Sequence, residues 1–280
     1  MHLWYSENRA AKEVLERASE AGHGDRQLEA NCIKALGDVH RMLSEYGAAR
    51  ARYEEALPIY REIGTRLGEA NCIKALGDLL AEQGEVERAL PLLDQAEVLF
   101  RTLGFPNRVA WVHNSRGSLW HHQGEYVAAV EAYTRAIETW PREGAFYRNR
   151  ARTLMEMDDF AAVAANLEKA AALAPAHPYL ALRRAELAFY TQDYPSALRH
   201  AQEALARQEH FAPAGFLAAL AHLALGDTEE AIRVLETALQ WPYDKNDLQD
   251  TLRRLDRLPE TAPPQAVRQF RGRLQEAMKR

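Results

Sequence analysis

The stretch EANCIKALGD runs from Glu29 to Asp38 and returns unchanged from Glu69 to Asp78. Ten identical residues at a spacing of forty are an internal repeat, and a period of that length points to a solenoid. From Gly37 a step of forty reaches Gly77 and another reaches Gly117, after which steps of thirty-four land on Ala151, Ala185 and Ala219. All six are Gly or Ala, as expected where two helices approach too closely for a larger side chain. Twelve residues after each come Ala49, Ala89, Ala129, Val163, Ala197 and Ala231, and nineteen after each come Ala56, Ala96, Ala136, Ala170, Ala204 and Ala238. Between those rows lie Tyr53, Leu93, Tyr133, Leu167, Ala201 and Leu235. The loop between paired helices carries Tyr46, Tyr126, Phe160 or Tyr194, with Val86 and Thr228 at the equivalent places. Pro141 and Pro175 close their repeats.

A repeat array of 280 residues lengthens its core without thickening it, because each unit packs only on its neighbours. Ala, Leu, Glu and Arg dominate, all good helix formers, and no alternating β-branched run argues for strands. No apolar stretch approaches the ~20 residues that span a bilayer, and the start is no signal peptide. A net charge of −5 gives no general attraction to nucleic acid. Cys32 and Cys72 hold the same place in successive repeats, so a superhelical step of roughly 10 Å should separate them. A disulfide needs Cα atoms within about 7 Å, so both read as small packing residues in a reducing, cytoplasmic compartment.

Small residues on one helix, a small–aromatic–small stripe on the next and a closing proline resemble the tetratricopeptide repeat. That resemblance covers roughly Ala10 to Tyr243. It implies an all-α, right-handed α-solenoid of stacked helix–turn–helix units. Six repeats are expected, at about 29–68, 69–108, 109–142, 143–176, 177–210 and 211–243, the first two being a forty-residue variant. Residues 1–28 read as an orphan second helix of a truncated repeat, since Ala11, Leu15 and Ala18 copy the spacing of Ala49, Tyr53 and Ala56. The chain is then either cut from something longer or capped by Met1 to Asn8 folding back, and an uncapped end could also stack on another copy. Residues 244–280 read as capping helices. Helices should break near Gly64 and Gly104, and Pro58 and Pro91 should kink or end theirs. The large residue expected early in each first helix is replaced by His113, Ala181 and Gly215 in three repeats.

Catalytic signals are missing. His113, His121 and His122 have no accompanying HExxH, CxxC or Cys/His cluster, and neither a Gly-rich phosphate loop nor GxSxG occurs. Carboxylates come as Glu54-Glu55 or Asp158-Asp159, typical of exposed positions. The chain reads as a non-enzyme that takes no cofactor and no metal.

In the resembled family the first helix of each pair lines a concave groove that holds ligand peptides. Carried over by repeat phase, that implies a groove of Asn31, Lys34, Asp38 and Arg41, then Asn71, Lys74 and Asp78. Repeat three adds Trp111, Asn114, Ser118, His121 and His122; repeat four adds Arg148, Arg152 and Met155; repeat five adds Tyr179, Glu186, Phe189 and Tyr190. Repeat six contributes Phe216, Leu220 and Leu223, which the C-terminal helices are expected to cover. Asn side chains can hold a peptide backbone, the cations can pair with carboxylates, and the aromatics offer apolar anchors. The partner implied is a protein or peptide with acidic and bulky apolar parts. The Lys–Asn carboxylate clamp of some family members does not transfer, because Asp38 and Asp78 stand where it has Asn. Asn31–Lys34–Asp38 equally describes a solvated helix face with local charge pairs. The forty-residue repeats are also similar to the sensor arms of bacterial STAND signalling ATPases, which would make the array a ligand sensor. A self-associating scaffold is the alternative.

Overall fold

The computed structural model describes residues 25–279. Among them are fourteen helices and no strand, in two compact units meeting at Phe146/Tyr147. The N-terminal unit holds α1 (Arg26–Met42), α2 (Tyr46–Glu62), α3 (Arg66–Glu82), α4 (Val86–Thr102), α5 (Pro106–His122) and α6 (Tyr126–Thr139). Helix α7 (Gly144–Glu156) opens at the junction. The C-terminal unit continues with α8 (Phe160–Leu173), α9 (Pro178–Tyr190), α10 (Tyr194–Arg207), α11 (Ala212–Ala224), α12 (Thr228–Ala238), α13 (Lys245–Leu255) and α14 (Pro264–Ala277). The expected orphan helix falls on residues 1–24, outside the described residues. Residues 26–28 belong to α1, whose N-cap Asp25 accepts hydrogen bonds from the amides of Gln27 and Leu28 at 3.0 and 3.1 Å.

In the N-terminal unit the forty-residue repeat divides into halves. Helices α1 to α5 are each 17 residues long, and the turns after them place Ser44, Gly64, Gly84, Gly104 and Gly124 at positive φ, twenty residues apart. After each such residue the next amide reaches back to close the helix, as in Thr65 N to Tyr60 O at 2.9 Å and Glu85 N to Leu80 O at 2.9 Å. This is the Schellman arrangement, which satisfies the last carbonyls and favours glycine. Gly64 and Gly104 mark breaks as expected. Pro58 and Pro91 end nothing, because α2 and α4 run through them. Both rings are exposed, as are Glu54 and Glu87 one turn earlier, so the carbonyls that proline leaves without a donor belong to exposed residues.

Hairpins pack through the expected stripe. Ala49, Tyr53, Ala56, Ala89, Leu93, Ala96, Ala129, Tyr133 and Ala136 are fully buried. The small residue opposite is required by sterics. A Cβ at Gly37 would lie 2.5 Å from Tyr53 Cε1, and one at Gly117 would lie 2.6 Å from Tyr133 Cδ1. At Gly77 the nearest atom is Leu93 Cδ2 at 3.0 Å, the far end of a side chain that can rotate.

In the C-terminal unit the same stripe appears as Val163, Leu167 and Ala170, then Ala197, Ala201 and Ala204, then Ala231, Leu235 and Ala238, all buried. Helix α11 is buried nearly all round, and its residues Phe216, Leu220 and Leu223 share a core with Leu248 and Leu255 of α13 and with Phe270 and Leu274 of α14. The C-terminal helices therefore cover repeat six as expected. Gly215 departs from the large-residue pattern for a local reason: the Trp241 ring fills its place, 2.6 Å from where a Cβ would stand.

These contacts set an order of tolerance. Gly37→Ala should destabilise the protein by about 1–3 kcal/mol through overpacking against a rigid ring, with Gly77→Ala costing clearly less. Thermal unfolding of the two variants side by side checks it, and equal losses would refute the steric account.

Candidate functional site

Asn31, Lys34, Asp38 and Arg41 lie on α1 and Asn71, Lys74 and Asp78 on α3, and the α1 residues are held from the second helix. On α1 the Lys34 ammonium pairs with Asp38 Oδ2 at 2.6 Å, while the Tyr53 hydroxyl donates to Asp38 Oδ1 at 2.8 Å. One turn away the Tyr60 hydroxyl donates to Asn31 Oδ1 at 2.8 Å, which leaves the Asn31 amide N–H groups available on an exposed side chain. Burial, then Asp38, pushes the Tyr53 phenol far above its ordinary range, so it remains a donor. Arg41 closes the row by pairing with Glu82 of α3 at 2.5 Å. Burial works against the Arg41 charge, but Glu82 and Asp78 more than offset it and the group is held cationic.

Helix α3 carries the same ten residues and meets a different environment. Lys74 pairs with Asp78 Oδ2 at 2.7 Å, as its twin does. Where α2 has Tyr53 and Tyr60, however, α4 has Leu93 and Phe100, which bring no hydroxyl. Asp78 Oδ1 is consequently buried with no hydrogen-bond partner among the described residues, and the half-buried Asn71 side chain makes no hydrogen bond among them. Identical first helices thus differ in how fully their polar groups are satisfied. Leu93→Tyr should supply the missing donor and raise stability by about 1 kcal/mol, a typical net value for one hydrogen bond. The gain should vanish when Asp78→Ala is added, and a denaturation series over the wild type, both single variants and the double variant measures it.

Repeat three departs from the predicted face. Trp111 is half-buried, its ring edge-on to Phe146 at 5.0 Å. Asn114 and His121 are buried, the latter against the rings of His122 and Tyr126 at 5.7 Å each, so neither is presented to a ligand. Ser118 meets the Tyr133 hydroxyl at 3.1 Å, repeating the Asp38–Tyr53 contact. His113 belongs to a polar joint between α4 and α5. Arg116 bonds to Glu97 and to Asp94, the latter at 2.6 Å, and also contacts His113 Nδ1 at 3.1 Å. Burial lowers the His113 pKa and Glu97 only partly opposes it.

In the C-terminal unit, Arg148 and Met155 are buried and Arg152 is half-buried, its Nε without a hydrogen-bond partner among the described residues. Tyr179 is partly exposed, edge-on to Phe211 at 4.8 Å. Two more predicted residues of repeat five, Glu186 and Tyr190, meet arginines of α13 and of the turn after it. Glu186, 2% exposed, accepts from Arg183 on its own helix and from Arg254 of α13 at 2.8 Å. Arg257 sits 5.0 Å over the Tyr190 ring and pairs with Asp158 at 2.8 Å. Phe189, with Phe216, Leu220 and Leu223, is in the core. Arg254 and Arg257 tie the C-terminal segment down, their partners 68 and 99 positions away.

Helix α13 begins with a reciprocal cap in which Asp244 accepts from the Asp247 amide at 2.9 Å and the Asp247 carboxylate accepts from the Asp244 amide at 3.1 Å. Burial, then the Asp244 charge, pushes the Asp247 carboxyl up to about 7. The folded chain therefore holds that proton more tightly than the unfolded one, where an Asp titrates near about 4. Stability from this group is full below about pH 4 and declines as pH rises to about 7. Asp247→Asn should flatten that part of the stability–pH curve and be relatively stabilising at pH 8, as urea midpoints at several pH values will show.

Among the described residues no group of three or more His, Cys, Asp or Glu could hold a metal ion, and no helix is long and apolar enough to cross a membrane. Cys32 and Cys72 are free and buried, and burial pushes the Cys72 thiol up to about 12.

Helix hairpins stacked through a small–aromatic–small stripe define an α-solenoid of short repeats. Models described as "Tetratricopeptide repeat" match residues 9–62, 74–144 and 182–245, together more than half of the chain. The chain belongs to the tetratricopeptide repeat family. Yeast Tom70 superposes with a TM-score of 0.62 at 16% identity, over 97% of this chain and 59% of that one. BtubC from P. vanneervenii gives 0.56 at 16% identity, over 74% and 91%, and a thermophilic repeat protein of Thermus thermophilus gives 0.55 at 20%, over 69% and 99%. These likenesses concern the fold. A 46-residue stretch is 50% identical to the 43 kDa receptor-associated protein of the synapse from Tetronarce californica, covering 16% of this chain and 11% of that protein's length.

Proposed function

We propose that the protein is an interaction module that holds an extended segment of a protein partner on the first-helix face of its N-terminal repeats. The observation that carries this reading is the twin row Asn31–Lys34 and Asn71–Lys74. It offers side-chain amides and ammonium groups at one spacing on helices fixed by their packing. An Asn amide can donate to a peptide carbonyl and accept from a peptide N–H. Each Lys keeps two donors beyond its Asp partner, for a carboxylate or a backbone oxygen. Trp111 adds a half-buried ring in the next repeat. A partner segment with backbone groups exposed and an acidic side chain fits this row, and an array holding it needs no catalytic group.

The sensor-arm reading is a narrower form of the same proposal. It rests on the resemblance of the forty-residue repeats to those of STAND ATPases, and it adds the expectation of a switch domain encoded upstream. The self-association alternative invokes residues 1–24, which lie outside the described residues.

Affinity capture from lysate of the source organism, read by mass spectrometry, tests the module. The control is Lys34→Glu/Lys74→Glu, at two partly exposed side chains of the row. A partner held by the wild type should be lost by a control with unchanged helical circular dichroism. Equal retention by both would move the binding site off this row.

A further inference from the structure

Helices α1 and α3 are close to interchangeable on the side that α3 turns to α2. In its seat on α2, helix α3 buries Cys72, Ala75, Leu76 and Leu79 in one core with Ile59 and Tyr60. Forty residues earlier α1 carries Cys32, Ala35, Leu36 and Val39, three of them identical and the fourth a smaller aliphatic. The charged contact is matched as well, since Arg61 of α2 pairs with Glu69 at 2.9 Å and α1 has Glu29 at that place. One position breaks the match. Gly68 lies against the Tyr60 ring, where a Cβ would stand 2.3 Å from Cδ1 and 2.4 Å from Cε1, and α1 has Leu28 there. The ring is held in place, being 3% exposed with its hydroxyl donating to Asn31 at 2.8 Å. A helix identical to α3 over ten residues is therefore barred from the α3 seat by the side chain just before them.

The bar acts while the fold is incomplete. Misassembly between like segments is a characteristic failure of repeat proteins, and the outer side of α2 stays open until α3 docks. Helix α1 of a second copy brings nearly the same apolar row and the same glutamate to that opening. We infer that Tyr60 and Gly68 form a selection device, in which the ring admits α3, bare of a Cβ at the contact, and excludes α1 of another chain. Tyr60 makes opposite demands on the twin helices, an Asn side chain on its α1 side and bare backbone on its α3 side. Helix α3 has the residue for the first demand, in Asn71, but α1 cannot meet the second. The device does not depend on segment binding by the N-terminal row, so either can fail alone.

The test is refolding of the full chain from denaturant at increasing protein concentration, read by size-exclusion chromatography with light scattering. Leu28→Gly removes the bar and should raise the misassembled fraction, species larger than the native form, by about tenfold, as expected when a clash of overpacking size is relieved. Leu28→Ala trims the leucine but keeps its Cβ and should refold as the wild type does. Gln27→Gly, at the exposed neighbouring position, weakens α1 by the same helix propensity and should also match the wild type. A Leu28→Gly chain that misassembles no more than the wild type overturns the proposal, as does equal misassembly by either control. Should Leu28→Gly fail to fold, the wild type is refolded with an excess of a synthetic peptide of residues 25–42, either natural or carrying Leu28→Gly. The glycine peptide must lower the yield of native chain and the natural one must not; equal effects, or none from either, refute selection at this contact.

Discussion

The distance between the two helices of a hairpin governs the rest of this structure. Where Tyr53 lies on Gly37 and Tyr133 on Gly117, the ring sits where any Cβ would be, so the first helix is drawn in as far as its backbone allows. That approach buries the phenol, and a buried hydroxyl needs an acceptor. Asp38 and Ser118 supply it one residue after the glycine, and Asp38 in turn fixes Lys34. A packing constraint in the core therefore sets the polar chemistry on the first-helix face. Repeat two shows the dependence from the other side. Leu93 satisfies the packing but leaves Asp78 Oδ1 without a donor among the described residues.

The two units present different faces. In the N-terminal one the row from Asn31 to Lys74 is half-open, with its charges balanced locally. In the C-terminal one the corresponding surface is taken by α13, and its carboxylates are matched by arginines from that helix and the turn after it. That surface is closed by the chain's own amphipathic helix, with basic residues turned toward it. The acidic partner read from Arg148 and Arg152 finds less support there, because Arg148 is buried.

How much could be seen beforehand follows from the range of each interaction. The hairpins were legible because periodic positions report a contact that recurs in every repeat, and the stripe residues are buried throughout. The Lys34–Asp38 and Lys74–Asp78 pairs were equally legible, as i,i+4 partners on one helix. The contrast between the twin rows was available in Leu93 and Phe100 but required reading the helix behind the row. Gly84 and Gly124 marked the twenty-residue halves as plainly as Gly64 and Gly104 did. The docking of α13 had no such signal. Arg254 and Glu186 belong to no repeat relationship, and an amphipathic tail helix can cap an array's end or cross its face with the same pattern of residues.

The halving of the long repeat bears on how this protein can change length. Deleting residues 29–68 would join Leu28 to Glu69, and the helix begun by Arg26 would continue through the same ten residues it had before. Inserting another forty at that seam is equally smooth, because each hairpin's stability depends on its neighbours and little else. The identical stretches are therefore points at which recombination between copies preserves register, cap and core at once. The number of hairpins ahead of residue 69 is a quantity that descent can adjust in whole units, while the α13-bearing end is untouched.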